Sequence, residues 1–243
     1  MVKLAPLALV LVCASAAVAQ PYVSAGLGQL TFESDRASWR VARAGLGYSG
    51  GPFSSRLEAW LSERADSREV RVLSDSYLSV PWGYWNLRAL FTPDAAVHPR
   101  RDLSLGVWLD AGGEWEPSLS LRQMAFAGGH IAIWTPGIGR YLPRWYLRAT
   151  VPLAAEEGGP VQGALVVSAR RYVGSHWLQW QVSGGREAVE LPVRLQVVRT
   201  WSVGASASIA RARAVVSPRA GLQGDSLLGT RLEVGIGLQL GLE

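Results

Sequence analysis

The chain has 243 residues, 49% of them apolar, with 24 Lys plus Arg against 19 Asp plus Glu and a formal net charge of +5. The excess of cations does not indicate a nucleic-acid partner: Lys3 is the only lysine, and the arginines stand singly with no basic run to follow a phosphate backbone. No apolar run beyond the amino terminus reaches the roughly 18 residues of a transmembrane helix, yet mean hydropathy is slightly positive and tryptophans number 11.

The amino terminus reads Met1-Val2-Lys3, then an apolar run from Leu4 to Cys13, then Ala17-Val18-Ala19. A charged start, a short apolar stretch and small residues are the parts of a secretory signal peptide, with cleavage expected before Gln20. Lipidation at Cys13 is rejected because Val12 precedes it where a small residue is needed. Cys13 is the only cysteine, so residues 20–243 contain no disulfide. An exported domain of this size must then be held by a substantial core or a closed hydrogen-bonded sheet.

Beyond the leader, helical periodicity is nearly absent. Segments of roughly ten residues rich in Val, Leu, Trp and Tyr recur between clusters of Gly, Pro and Asp, the pattern of an antiparallel meander. About fourteen are expected: 21–32, 37–48, 53–64, 69–80, 83–91, 102–110, 115–126, 130–138, 144–153, 161–173, 176–183, 190–199, 203–214 and 227–242, and merging weak members reduces the count to twelve. Several alternate cleanly. In 53–64, Leu57, Ala59 and Leu61 oppose Arg56, Glu58, Trp60 and Arg64; in 102–110, Leu103, Leu105, Val107 and Leu109 oppose Trp108 and Asp110. In 144–153, Trp145, Leu147 and Ala149 oppose Tyr146 and Arg148; in 176–183, Leu178, Trp180 and Val182 oppose Gln179 and Gln181. Successive strand side chains point to opposite faces, so each segment has one apolar and one polar face.

From the fifth segment onward the gaps alternate in length. Long ones fall at 92–101, 154–160, 184–189 and 215–226, short ones at 111–114, 139–143, 174–175 and 200–202, with 127–129 the exception. Long outer loops and short periplasmic turns are what a membrane barrel requires, and a soluble sandwich supplies no reason for them. The last stretch, Leu232 to Leu242, sets alternate Leu, Val and Ile against Glu, Gly and Gln. It is expected to close the barrel against the segment near Tyr22, leucines to lipid and glycines to the lumen. It also carries the alternation of a barrel-assembly signal, although it ends Leu242-Glu243 where an aromatic is usual.

The fold class is therefore all-β: a single antiparallel up-and-down transmembrane β-barrel of about 12–14 strands over residues 20–243, in the outer membrane of a Gram-negative bacterium. Its lumen is expected to be lined by Arg56, Glu58, Trp60, Arg64, Trp108, Asp110, Arg148, Arg170, Gln179 and Gln181. The expected partners are outer-membrane lipid, the barrel-assembly machinery through the last strand, and a glycan or small solute. A secreted soluble β-sandwich with the apolar faces turned inward is the rival fold.

Several short blocks resemble the YaiO family of outer-membrane β-barrels. They are Tyr22, Ser38-Trp39-Arg40 and Tyr48; the stretch from Phe91 to Arg100, with Val97-His98 in place of the usual Phe; Tyr141-Leu142 and Trp145 to Arg148; Val167 to Gly174; and Ser183 to Glu187. The resemblance implies an outer-membrane barrel of uncharacterised biochemical role. The helical-repeat module that precedes the barrel in some relatives is missing from this sequence.

Chemistry is sparse. His98, His130 and His176 are separated, no serine sits in a nucleophile motif, and Asn86 is the only asparagine, so a Ser–His hydrolase acting on lipid or surface peptide is the lesser alternative. Three separated histidines do not suggest a transition-metal site, Asp66, Asp75, Glu156-Glu157 and Asp225 read as solvated charge, and no cofactor is expected. Trp82, Trp85, Trp145, Trp177 and Trp180 suit interfacial girdles, while Trp60 and Trp108 are candidates to stack on a sugar. Gly26, Gly28, Gly45, Gly47, Gly235 and Gly237 are expected to relieve crowding in the lumen. The reading that results is a narrow pore or export-associated barrel for a glycan or small solute.

Overall fold

Alternating sequence becomes strand over nearly the whole chain. The computed structural model describes residues 20–33, 38–64, 67–96, 98–156, 159–191, 194–226 and 229–242. The expected leader 1–19 lies outside them, as do Asp66 and Glu157. The strands are β1 (Gln20–Phe32), β2 (Trp39–Gly50), β3 (Phe53–Arg64), β4 (Ser67–Val80), β5 (Gly83–Phe91), β6 (Arg101–Leu109), β7 (Trp115–Ala125), β8 (His130–Leu142), β9 (Trp145–Thr150), β10 (Leu153–Glu156), β11 (Gln162–Val173), β12 (His176–Leu191), β13 (Arg194–Arg211), β14 (Ala214–Asp225) and β15 (Gly229–Gly241).

Each strand pairs antiparallel with its neighbours, and β15 pairs with β1 from Tyr22↔Gly241 to Phe32↔Arg231, closing the sheet. Closure satisfies every ladder and leaves no edge, the condition for crossing a bilayer with strands. β9 and β10 are one stave. Both lie between β8 and β11, and the register continues unchanged from Gly137↔Thr150 to Trp134↔Leu153. The break falls at Pro152, which has no N–H to give to the ladder. The barrel accordingly has fourteen strands.

Burial runs opposite to that of a soluble domain. The most enclosed side chains are mainly polar, including Glu58, Glu69, Asp75, Asp102 and Glu116, whereas Leu27, Leu46, Leu57, Leu103, Leu165 and Ile236 are more than half exposed. Register puts the two sets on opposite faces: Leu27↔Ile236 and Leu46↔Leu57 share the outside, Gly45↔Glu58 and Leu90↔Asp102 the inside. A sandwich core built on the apolar faces is thereby overturned. Those faces form the outer surface, where only lipid covers them favourably.

The first ten expected segments fall within a few residues of observed strands; the carboxyl-terminal third needs correction. Segment 176–183 extends to Leu191, so 184–189 is strand. Segments 190–199 and 203–214 are largely the single strand β13, and 200–202 is its middle. The expected loop 215–226 is β14. The reason lies in residue type. Serine, alanine and glycine dominate both faces here, so alternation carries no contrast and glycine-bearing strand reads as turn. The loop asymmetry survives in weaker form: five of the connections at the end holding both strand termini are two-residue turns, and the longest connection, 92–100, is at the other end. Gly51 and Gly174, with φ of 56° and 60°, occupy two of those tight turns, where left-handed backbone matches the strand twist.

Candidate lumenal site

The inward faces of β2 to β9 form a braced wall. Arg56 Nη2 donates to Asp75 Oδ2 at 2.7 Å and its Nη1 lies 3.8 Å from Glu58. Asp75 also accepts from Asn86 Nδ2 at 2.7 Å. Glu58 is 2% exposed and accepts from Trp60 Nε1 at 2.9 Å and from Ser24 Oγ at 3.2 Å, reaching across β2 to β1. Arg122 grips Asp102 in a fork, at 2.8 and 2.6 Å. Such two-pronged contacts are the strong form of ion pair.

At the loop end, residues 92–96 and 98–100 lie back over the inner face of β4. Thr92 is fully buried, the Ala96 amide donates to Glu69 Oε1, and His98 Nδ1 bonds Glu69 Oε2. The His98 ring also meets Trp39 edge-on at 5.7 Å. Burial lowers the His98 pKa below the usual histidine value, with the Glu69 carboxylate opposing that shift. His98, weighed in sequence as a loop histidine, is thus part of the contact that holds this loop across the mouth.

At the turn end the lumen is aromatic. Tyr84 and Trp108 stack at 4.8 Å with an interplanar angle of 7°, and the Arg148 guanidinium lies over Trp108 at 5.3 Å. Tyr141 and Tyr146 donate to the two oxygens of Glu116, at 2.9 and 2.5 Å. Arg148 Nη2 donates to Ser118 Oγ at 2.9 Å. Beside them Arg170 donates through Nε and Nη2 to Gln179 Oε1, at 2.9 and 2.6 Å, and lies 4.6 Å over Trp177. Together these groups border a cavity of about 270 Å³ lined by Tyr84, Tyr141, Tyr146, Tyr172, Arg148, Arg170, Gln179 and Gln181.

Nine of the ten expected lumen residues face inward by register. Arg148, Arg170, Gln179 and Gln181 converge on one cavity; Arg56, Glu58 and Trp60 are interlinked on the opposite side; and Arg64 stands over Trp39 at 4.9 Å near the loop end. Asp110 lies past the end of β6, exposed, in the turn 110–114, where its Oδ1 accepts from the Gly112 amide at 2.9 Å. Trp108 and Trp60, the candidates to stack on a sugar, already have partners on their rings. Tyr84 and Arg148 cover Trp108, and Arg43 and Arg71 lie over Trp60 at 5.9 and 4.9 Å, so cations already occupy those rings. Of the girdle candidates, Trp145 and Trp180 stack on the outer surface, whereas Trp177 faces inward beneath Arg170.

Sequence reasoning missed the four tyrosines as a group, and Glu69, Asp102, Glu116 and Arg122 as anchors. Tyr146 stood on the polar face of an alternating segment, which was the available signal. That the tyrosines of four strands meet at one end depends on register, which sequence does not show. The lumenal glycines also find a specific use. A Cβ at Gly47 would collide with the Tyr22 ring, and one at Gly26 or Gly235 would meet Arg43 or Arg219. Each glycine lets a long side chain lie flat against the wall.

Comparison with known proteins agrees with this architecture. The chain is similar to the "CymD monoaromatic hydrocarbon channel", with a TM-score of 0.62 and 9% identity over 92% of this chain and 89% of that one. It is also similar to an anion-selective porin from Comamonas acidovorans, with a TM-score of 0.51 and 10% identity over 92% and 98%. Outer-membrane expressed OmpT of Vibrio cholerae has a TM-score of 0.50 and 10% identity over 92% and 97%. At these identities the likeness establishes the fold alone. No curated protein matches the sequence. The family described as YaiO membrane beta barrel domain matches residues 20–190, which span β1 to β12 and so eleven of the fourteen staves, and the resemblance read from Tyr22, Trp39 and the Val167–Gly174 block is correct. The chain belongs to the YaiO family of membrane β-barrels.

Proposed function

We propose that this barrel is a narrow passage across the outer membrane for small solutes, and that its lumen favours anions. One observation carries the reading. Five inward arginines, Arg43, Arg64, Arg71, Arg88 and Arg170, have no carboxylate within ion-pair distance among the described residues, whereas the inward carboxylates Glu58, Asp75, Asp102 and Glu116 each have an arginine within 4 Å. The Nε atoms of Arg71 and Arg88 are buried and without a hydrogen-bond partner among the described residues. Unneutralised guanidinium groups in an aqueous channel raise the local concentration of anions and repel cations. The architecture suits this use, since one barrel of the same fold is described as an anion-selective porin.

Size selection follows from the packing. Segment 92–100 narrows the loop end and the tyrosine-lined wall narrows the turn end, so conductance should be small. In the same reading residues 1–19 are the export leader, lipid covers the outward leucines, and β15 is the strand presented to the assembly machinery. The experiment is reconstitution into planar bilayers. Small, resolvable current steps are expected for the wild type and larger ones for Arg148→Ser and Arg56→Ser. An absence of current in all three, with each protein folded as judged by heat-modifiable migration, would exclude a pore.

A further inference from the structure

The cavity at the turn end has more chemistry than a passage needs. Its floor is the β9–β11–β12 surface, where Arg148↔Ser168 and Arg170↔Gln179 pair in register and the two arginines occupy diagonal positions on adjacent strands. Their surroundings are unequal. Arg148 lies 3.8 Å from Glu116, whose two oxygens are both engaged by tyrosine hydroxyls. Among the described residues Arg170 has the Gln179 oxygen and the Trp177 face as its partners, so part of its planar fork is unspent. The alcove thus holds one more cation than anion, beside the primary amide of Gln181 and the hydroxyl of Ser168.

Its other surfaces are the rings of Tyr84, Tyr141, Tyr146 and Tyr172. A ring face suits the C–H side of a pyranose, an amide and a hydroxyl suit its O–H groups, and a guanidinium fork suits a carboxylate. A volume of about 270 Å³ admits one such ring and not a folded peptide. We infer that this alcove is a binding site for a sugar bearing a carboxylate, a hexuronate, held by Arg170 and Arg148 against the tyrosine rings. The inference rests on the reading of the barrel as a passage and gives that passage a preferred solute. Its position beside the short turns makes it a station at the periplasmic mouth.

The test is calorimetric titration of the full barrel, refolded in detergent, with sodium glucuronate, glucose and sodium acetate as separate probes. Saturable binding of glucuronate is expected, with glucose and acetate each weaker by about tenfold or more, the loss of one charge-assisted or one stacking contribution. Arg170→Gln should weaken glucuronate about tenfold and leave glucose unchanged, while Arg219→Gln, on the β14 wall, should alter neither. Equal binding of acetate and glucuronate would reduce the alcove to an anion site and overturn the sugar assignment. No saturable glucuronate binding by the wild-type barrel would overturn it outright, whether or not the variants fold. Because the readout is binding, it separates from conductance: current without binding refutes the alcove alone, and binding without current refutes the passage alone.

Discussion

The wall from β2 to β9 and the wall from β11 through β15 to β1 meet the same demand by different means. In the first, buried carboxylates are clamped by arginines, as in Arg56–Asp75 and Arg122–Asp102. In the second, glycine, alanine and serine keep much of the surface low, and the braces are a 2.7 Å contact between the Ser183 and Ser202 hydroxyls, the Arg170–Gln179 fork and Arg231 set 3.6 Å from Asp225. Arg219 lies over Gly28 and Gly235 and reaches Glu233 at 3.2 Å. The first side is stiffened mainly by buried carboxylates clamped between strands; the second carries its ion pairs on β14 and β15 and is smoother elsewhere. Under the proposed reading as a passage, rigidity and openness are divided around the circumference.

The largest effect expected concerns neither wall's interior but the distinction between inside and outside. Ile236→Arg places a charge on the lipid face near the middle of β15 and should cost about 3 kcal/mol, while Gln239→Arg, inward on the same strand, should cost less than about 1 kcal/mol. Urea unfolding in lipid vesicles measures both, and equal costs would erase the assignment of faces. Next in size is the braced wall. Asp75→Ala strands Arg56 and Asn86 and should cost about 2 kcal/mol, less than a fully dry ion pair because lumen water reaches Arg56. Ser202→Ala on the smooth wall should cost less than about 1 kcal/mol by the same assay.

Glycines sharpen the contrast further. A Cβ at Gly139 would lie within 3 Å of three Tyr146 atoms, one at Gly204 no closer than 3.4 Å to any atom. Gly139→Val should therefore cost about 1 kcal/mol and displace Tyr146 from the alcove, whereas Gly204→Ala should be near neutral. The smallest effect belongs to the loop. His98 is held below the ordinary histidine pKa by burial, so the unfolded or undocked segment binds protons more readily than the docked one. Docking is fully favourable above the unperturbed value of about 6.5 and weakens as pH falls below it. Hydrogen exchange at the Ala96 amide should accelerate toward pH 5, and exchange independent of pH after correction for intrinsic rates would contradict the His98–Glu69 hold.

Sequence revealed the fold where the two faces differ in chemistry. In β3, β6 and β9 charged or aromatic residues alternate with leucine, and boundary and facing were both legible. In β13 and β14 serine faces alanine and glycine, the contrast vanishes, and the strands were mistaken for a loop and its flanks. The lumen was half legible for a related reason. Parity identified Arg148, Arg170, Gln179 and Gln181 as inward residues one strand at a time. It could not bring Tyr84, Tyr141 and Tyr172 to them, because that meeting is fixed by the stagger of strands far apart in sequence.

The central claim, that unneutralised arginines make this lumen favour anions, is tested most directly by the reversal potential of a single barrel in a planar bilayer under a tenfold potassium chloride gradient. The account predicts a reversal potential displaced toward the chloride equilibrium value, and a smaller displacement for the Arg43→Gln, Arg170→Gln double variant. A potential displaced toward the potassium value in the wild type would contradict it.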